Sequence, residues 1–197
     1  MQKIHVKANR HWMNDPNGFI YYKGKYHLFY QCFPYEARWG RMHWAHVVSD
    51  DLVNWEYQGI AVFPSKTDDR DGCFSGSAVE DEGKLYLYYT GVRYLVENPE
   101  DINLFLDEQF VSAQMLITSE DGYHFDNIKD KKTIIPVFNN SEIGDARHTR
   151  DMKEKSVIVF RETESGIRLQ FISWSIMWNY QRRSTLEIRL QMIWQQL

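Results

Sequence analysis

"GFIYYKGKYHLFYQ", residues 18–31, and "SAVEDEGKLYLYYTG", residues 77–91, follow one plan. Each runs from an apolar stretch through a short polar turn, Lys23-Gly24 in one and Glu82-Gly83-Lys84 in the other, into a second apolar stretch. Leu85, Leu87 and Tyr89 alternate with a period of two, the signature of a strand with one buried face. Each segment therefore reads as a β-hairpin, and Gly24 and Gly83 lie 59 residues apart. A second pair recurs: "SDDLVNWEYQG" from Ser49 and "SEDGYHFDNIK" from Ser119, each a polar turn leading to an aromatic strand. Self-similar β units at this spacing point to an all-β fold of the propeller kind. A β-sandwich with similar hairpins is the alternative that the pattern leaves open.

In a propeller, the inner strands converge on one central channel, so equivalent repeat positions meet in space. Asp15 lies nine residues before Gly24, and Phe74 lies nine before Gly83 with Ser75 beside it. A third start is expected at "HTRDMKEKSVIVF", where Arg150-Asp151 precedes a short apolar strand.

With 197 residues, 43% of them hydrophobic and 15% aromatic, the chain can build a packed domain, or a domain and a fragment. A net charge of −4 without any basic block argues against nucleic acid as a partner. Nothing near the N-terminus resembles a signal peptide and no window suits a membrane span, so a cytoplasmic location without membrane association is expected. Cys32 and Cys73 lack metal-ligand spacing and are expected to be reduced and buried. His43 and His46, at i and i+3 on a strand, point to opposite faces and lack the H-E-x-x-H pattern, so no metal site is expected.

The composition changes after Asp151. All 7 histidines and every aspartate lie at or before that position, and beyond it there is a single glycine, Gly166, and no proline. One reading of the tail is a helix with Leu186, Ile188, Leu190 and Ile193 at loose helical spacing. The other is out-of-frame sequence. The expected organisation is thus part of a propeller over 1–151 and an aberrant, irregular or helical tail over 152–197.

Asp15 is the first chemical candidate. Pro16 biases its backbone to the extended region, Asn17-Gly18 favours a tight turn, and Trp12 and Phe19 flank it. On its own it could equally be an aspartate that only shapes a loop. Arg150-Asp151 is the second candidate, with an ordinary surface pair as its alternative. Trp39, Trp44 and Trp55 with Tyr35 suggest an aromatic platform for a sugar face, although aromatic residues in strands also serve as core. Ser75 is placed to donate to a sugar hydroxyl.

These stretches together resemble a known family. "WMNDPNG", "RWGRMHWAH", "SDDLVNWE", "DGCFSGSAV" and "HTRD" are similar to segments of glycoside hydrolase family 32, the invertases, sucrose-6-phosphate hydrolases and fructan hydrolases. The resemblance covers residues 1 to about 151. It implies the first two to three blades of a five-bladed propeller and a retaining hydrolysis of terminal β-fructofuranosyl linkages. It implies Asp15 as nucleophile, Asp151 as transition-state stabiliser with Arg150 beside it, and Asn14, Gln31, Trp39, Phe74 and Ser75 as substrate contacts. The partner implied is a small carbohydrate, and no cofactor is implied. Two departures stand out. Met152 replaces the proline of the family's Arg-Asp-Pro motif, and no Glu-Cys pair, the context of the family's general acid, occurs in these residues. A chain truncated or frameshifted near Asp151, weakly active or inactive, is the resulting expectation. A non-catalytic fructoside-binding fragment and a propeller glycosidase of the arabinanase or xylosidase type are the alternatives. Arg41 is a candidate for contacting a phosphate.

Overall fold

The computed structural model describes residues 6–137 and 146–147, together with the backbone of two strands further on. Apart from one 3-10 turn at Thr67–Asp69, the regular elements among the described residues are all strands. Strands β1 (Trp12–Tyr22), β2 (Lys25–Phe33), β3 (His43–Ser49) and β4 (Glu56–Val62) form one antiparallel sheet in sequential order. Strands β5 (Gly72–Asp81), β6 (Lys84–Tyr94), β7 (Phe110–Ser119) and β8 (Lys132–Ile135) form a second sheet with the same order. These are two consecutive four-stranded blades of a β-propeller, the up-and-down meander that the repeated hairpins called for.

The repeat extends to backbone detail. Lys23 and Gly24 have φ of 45° and 86°, and Glu82 and Gly83 have 50° and 80°. Both are two-residue turns with two left-handed residues, the type whose twist matches that of the paired strands. The Ser49 and Ser119 turns are also copies. Asp51 accepts from the backbone N–H of Val53 and Asn54, and Asp121 accepts from those of Tyr123 and His124. Leu52 has the left-handed φ of 63° at the position where Gly122 has 83°. The strand that follows differs. β4 begins soon after Ser49, whereas Phe125 and its neighbours are irregular and β8 begins only at Lys132.

The main core lies between the blades. Phe29, Trp44 and Val62 of the first blade pack with Cys73, Leu87, Tyr89, Met115 and Ile117 of the second. The period-two alternation along β3 sends Trp44 to this interface, while Ala45 and Val47 join Tyr30 and Cys32 on the opposite face of the blade. Both cysteines are free and buried, and burial pushes the Cys32 thiol up to about 12 and that of Cys73 well above its ordinary value. His46 lies against His27, with 3.0 Å between ring nitrogens, while His43 faces the Arg41 carbonyl at 2.9 Å. Among the described residues, no group of three or more His, Cys, Asp or Glu is arranged to hold a metal ion.

The tail departs from the irregular or helical expectation over part of its length. β9 (Val157–Thr163) and β10 (Gly166–Ile172) pair antiparallel, from Gly166 against Thr163 to Ile172 against Val157. Val157-Ile158-Val159-Phe160 is rich in β-branched residues, and Ile167, Leu169 and Phe171 alternate, a pattern that suits strands and not a helix. The short apolar strand expected after Arg150-Asp151 is thus β9. Asp151, Arg150, Met152, the boundary near 151 and the helical spacing at 186–193 lie outside the described residues.

Candidate active site

β1 and β5 are the first strands of their blades and run beside each other, and each carries a β-bulge. On β1, Met13 pairs with Cys32 and Pro16 with Tyr30, so Asn14 and Asp15 together oppose Gln31 alone. On β5, Phe74 pairs with Thr90 and Gly76 with Tyr89, leaving Ser75 as the extra residue. A bulge re-aims a side chain that regular pairing would fix. Here two bulges aim Asp15 and Ser75 at each other. The tight turn expected at Asn17-Gly18 is instead a second irregularity within β1, with Gly18 at φ 53°. Asn17 is buried and accepts from the Gly76 N–H at 3.2 Å, which ties the two strands together.

The polar contacts form a chain with one direction. The Trp12 indole N–H donates to Asn14 Oδ1 at 3.0 Å, and the Asn14 amide donates to Gln31 Oε1. Gln31 Nε2 donates to Ser75 Oγ at 3.1 Å, and the Ser75 hydroxyl donates to Asp15 Oδ2 at 2.6 Å. An indole can only donate and a carboxylate can only accept, so the ends dictate the orientation of both amides and of the hydroxyl between them. Asp15 is exposed, and its Oδ1 has no hydrogen-bond partner among the described residues. One oxygen is held and the other faces outward. That arrangement suits a nucleophile.

Of the expected aromatic platform, only Trp39 stands here. It is half-buried and packs edge-on against Phe74 at 5.9 Å between centroids. Trp44 is fully buried between the blades, and its N–H donates to the Phe74 carbonyl at 3.1 Å, supporting the site from below. Trp55 belongs to the far face of the first blade, and Tyr35 lies exposed beside Phe33 and His43. Phe19 points away from Asp15 and stacks on Tyr26. Trp44 is a strand residue whose face is set by the alternation of β3, Tyr35, Trp39 and Trp55 lie in connections outside the strands, and the second irregularity of β1, between Asn17 and Ile20, separates Phe19 from Asp15. Arg41, the phosphate candidate, is bound to buried Asp71 at 2.9 Å, and Asp71 also accepts from Arg70 and from the Tyr94 N–H. Two neighbours of Trp39 went unsignalled in the sequence: Phe105 against its ring and Asp101 on Arg38. The length of the β6–β7 connection was the available signal, since long ordered loops in compact domains are often functional.

Comparison with known proteins decides the family. The model of the glycosyl hydrolases family 32 N-terminal domain matches residues 5–156. The chain belongs to this family. It is 45% identical over 123 residues to a sucrose-6-phosphate hydrolase of Escherichia coli, covering 62% of this chain and 24% of that protein. It is 48% identical over 123 residues to one of Zymomonas mobilis, covering 62% of this chain and 22% of that protein. The chain thus spans about a quarter of the length of these curated relatives. Among solved structures, a Bombyx mori family 32 β-fructofuranosidase variant in complex with sucrose superposes with a TM-score of 0.61 and 34% identity, over 86% of this chain and 34% of that one. The sucrose-6-phosphate hydrolase of Lactobacillus gasseri gives 0.54 and 34%, over 75% and 28%.

Gly76 permits the whole arrangement. A Cβ built there would lie 1.9 Å from the Tyr88 carbonyl oxygen and 2.7 Å from the Tyr89 Cα, both backbone atoms that cannot swing aside. Gly76→Ala is expected to lose at least the ~1–3 kcal/mol typical of overpacking and to move Ser75 off Asp15. Urea unfolding checks it, and an alanine variant of unchanged stability would contradict it.

Proposed function

We propose that these residues are the nucleophile-bearing part of a retaining β-fructosidase acting on sucrose, sucrose 6-phosphate or short fructans. The observation that supports this most is the meeting of Asn14, Asp15, Gln31 and Ser75 across two blades, ending on a carboxylate with one oxygen held and one open. In this reading Asp15 Oδ1 attacks the anomeric carbon of a terminal fructosyl unit, the bond to the leaving oxygen breaks, and a fructosyl-enzyme ester forms. Water later cleaves the ester with net retention. Asn14, Gln31 and Ser75 also offer amide and hydroxyl groups to the sugar, and Trp39 with Phe74 lines its apolar face. In the same reading Arg150 and Asp151 add further contacts to the sugar, as the resemblance to the family implies. The bound state of Arg41 makes it a poor phosphate ligand, so a preference for phosphorylated sucrose has no support from that residue.

A retaining glycosidase needs a second carboxyl about 5–5.5 Å from the nucleophile to protonate the leaving group. Without a Glu-Cys context in the sequence, this chain has no assigned acid. General acid catalysis contributes roughly 10²–10⁴-fold, so sucrose turnover by the chain alone should be slower by about that factor. A substrate whose leaving group needs no proton separates the two half-roles. With β-fructofuranosyl fluoride, attack by Asp15 expels fluoride with its electron pair. The expected result is a protein one fructosyl unit heavier by mass spectrometry, with the label on the Asp15 peptide and absent from Asp15→Asn. A label that persists in Asp15→Asn would overturn the assignment of Asp15, and rapid sucrose hydrolysis by the wild-type chain would overturn the account of the missing acid.

A further inference from the structure

Trp39 lies between β2 and β3, in a connection with no regular structure, so its own element does not fix its indole. The bracing comes from the second blade. The β6–β7 connection, residues 95–109, is an ordered loop with tied ends: the Leu95 N–H donates to the Gln109 carbonyl at 2.8 Å, and Glu97 bridges to Phe105. Inside it, the Tyr94 hydroxyl donates to the Asn103 carbonyl at 3.0 Å, and Asp101 accepts from the Asn103 N–H at 3.0 Å. A compact, self-packed loop of this kind is an Ω-loop in character.

Two residues of this loop reach the first blade on either side of one peptide bond. Asp101 accepts a hydrogen bond from the guanidinium of Arg38, the residue before Trp39, and Glu36 holds the other side of Arg38 at 2.7 and 3.0 Å. The Phe105 ring packs edge-on to Trp39 at 5.6 Å with 82° between planes, and it also contacts Tyr94 and Phe110. Trp39 is thereby wedged between Phe105 and Phe74, the residue before Ser75. The wedge links the second blade's loop to the strand that carries the Asp15 partner.

We infer that the 95–109 loop is a positioning element of the fructosyl site, in which Asp101, through Arg38, and Phe105, through its ring, set the pose of the Trp39 indole that the sugar meets. The inference rests on the fructoside reading above. It assigns to Asp101 and Phe105 no contact with the reacting atoms. Sites held by loops depend on this kind of support, because a misplacement of about 1 Å weakens every contact tuned to the ligand.

The test uses the chain labelled with 5-fluorotryptophan, in which each of the seven tryptophans contributes one 19F line. Trp39→Phe assigns the Trp39 line. Asp101→Asn and Phe105→Leu are each expected to shift and broaden that line while the lines of the other tryptophans stay in place, which shows that the fold is retained. Both are expected to weaken sucrose binding by calorimetry roughly tenfold, the scale of one lost orienting contact. The pair Arg38→Asp with Asp101→Arg restores the ion pair and should return the Trp39 line and most of the affinity. A Trp39 line and an affinity that both ignore Asp101→Asn and Phe105→Leu would overturn the positioning role. A Trp39 line that responds to both substitutions, while the wild-type chain binds no sucrose, would leave the brace standing and overturn the fructoside reading.

Discussion

Lys131→Met is expected to destabilise the protein by about 3–5 kcal/mol, the usual result of removing one partner from a buried ion pair. Lys131 and Asp69 have no exposed side-chain surface and meet at 2.5 Å. The ammonium also donates to the Phe63 carbonyl and lies over the rings of Phe63 and Tyr89, at 5.7 and 5.3 Å from their centroids. Asp69 fills its remaining capacity with the Tyr89 hydroxyl at 2.7 Å and the N–H groups of Ser65 and Lys66 at 2.9 and 2.7 Å. Every group in this cluster is satisfied, so the loss of the ammonium strands a carboxylate where water does not reach. The same cluster closes the connection from β4 to β5, five residues ahead of Phe74. Asp69→Asn combined with Lys131→Met removes both charges but keeps the acceptor for the two backbone N–H groups, and should recover most of the loss. Urea unfolding of the single and double variants checks this. A Lys131→Met variant within about 1 kcal/mol of wild type would contradict the account.

The parts of this molecule that local sequence could reveal are those that local sequence determines. Lys23-Gly24 and Glu82-Gly83 announce their hairpins because few residues adopt two left-handed conformations in succession. Asp15 and Ser75 were placed together by repeat position alone, and they lie in hydrogen-bond contact. What stayed hidden depends on which face a strand presents and on what distant chain covers it. Trp39, Trp44 and Trp55 look alike in sequence, yet one lines the site, one fills the blade interface and one lies on the far face. The bulges at Asn14-Asp15 and at Ser75 were equally silent, because an extra residue in a strand shows only when the partner strand is known. Asp69 and Lys131, 62 residues apart, carry no shared local signal at all. The hairpin at β9 and β10 was obscured for another reason: the loss of aspartate and glycine beyond residue 151 suggested the end of the β pattern, while Ile167, Leu169 and Phe171 continued it.

Acid should loosen the blade interface well above the pH at which carboxylates titrate. His46 is about 1% exposed, stacks on Phe29 at 4.3 Å and faces His27, itself buried. Burial, and then the neighbouring imidazole, depress the His46 pKa to about 3, against an ordinary value of 6.5. His27 and His43 are lowered as well, chiefly by burial, and Lys25 near His27 and Lys131 near His43 add in the same direction. The unfolded chain therefore binds protons below pH 6.5 that the folded chain refuses, and folding stability falls as pH falls. His46's contribution is fully present above 6.5 and drains away toward 3 at about 1.4 kcal/mol per unit. From pH 7.5 to 5.0, His46 alone should remove about 2 kcal/mol, with further loss from the other two histidines. Chemical unfolding at those two pH values reads the total. His46→Phe, which keeps an aromatic ring on Phe29 and titrates nothing, should flatten the profile by about that 2 kcal/mol. Stability that holds level from pH 7.5 to 5.0, or a slope untouched by His46→Phe, would show that these histidines are not held neutral in the interface. The stakes are functional, because the two strands that bring Ser75 to Asp15 belong to different blades, and the interface packed around His46 sets the distance between them.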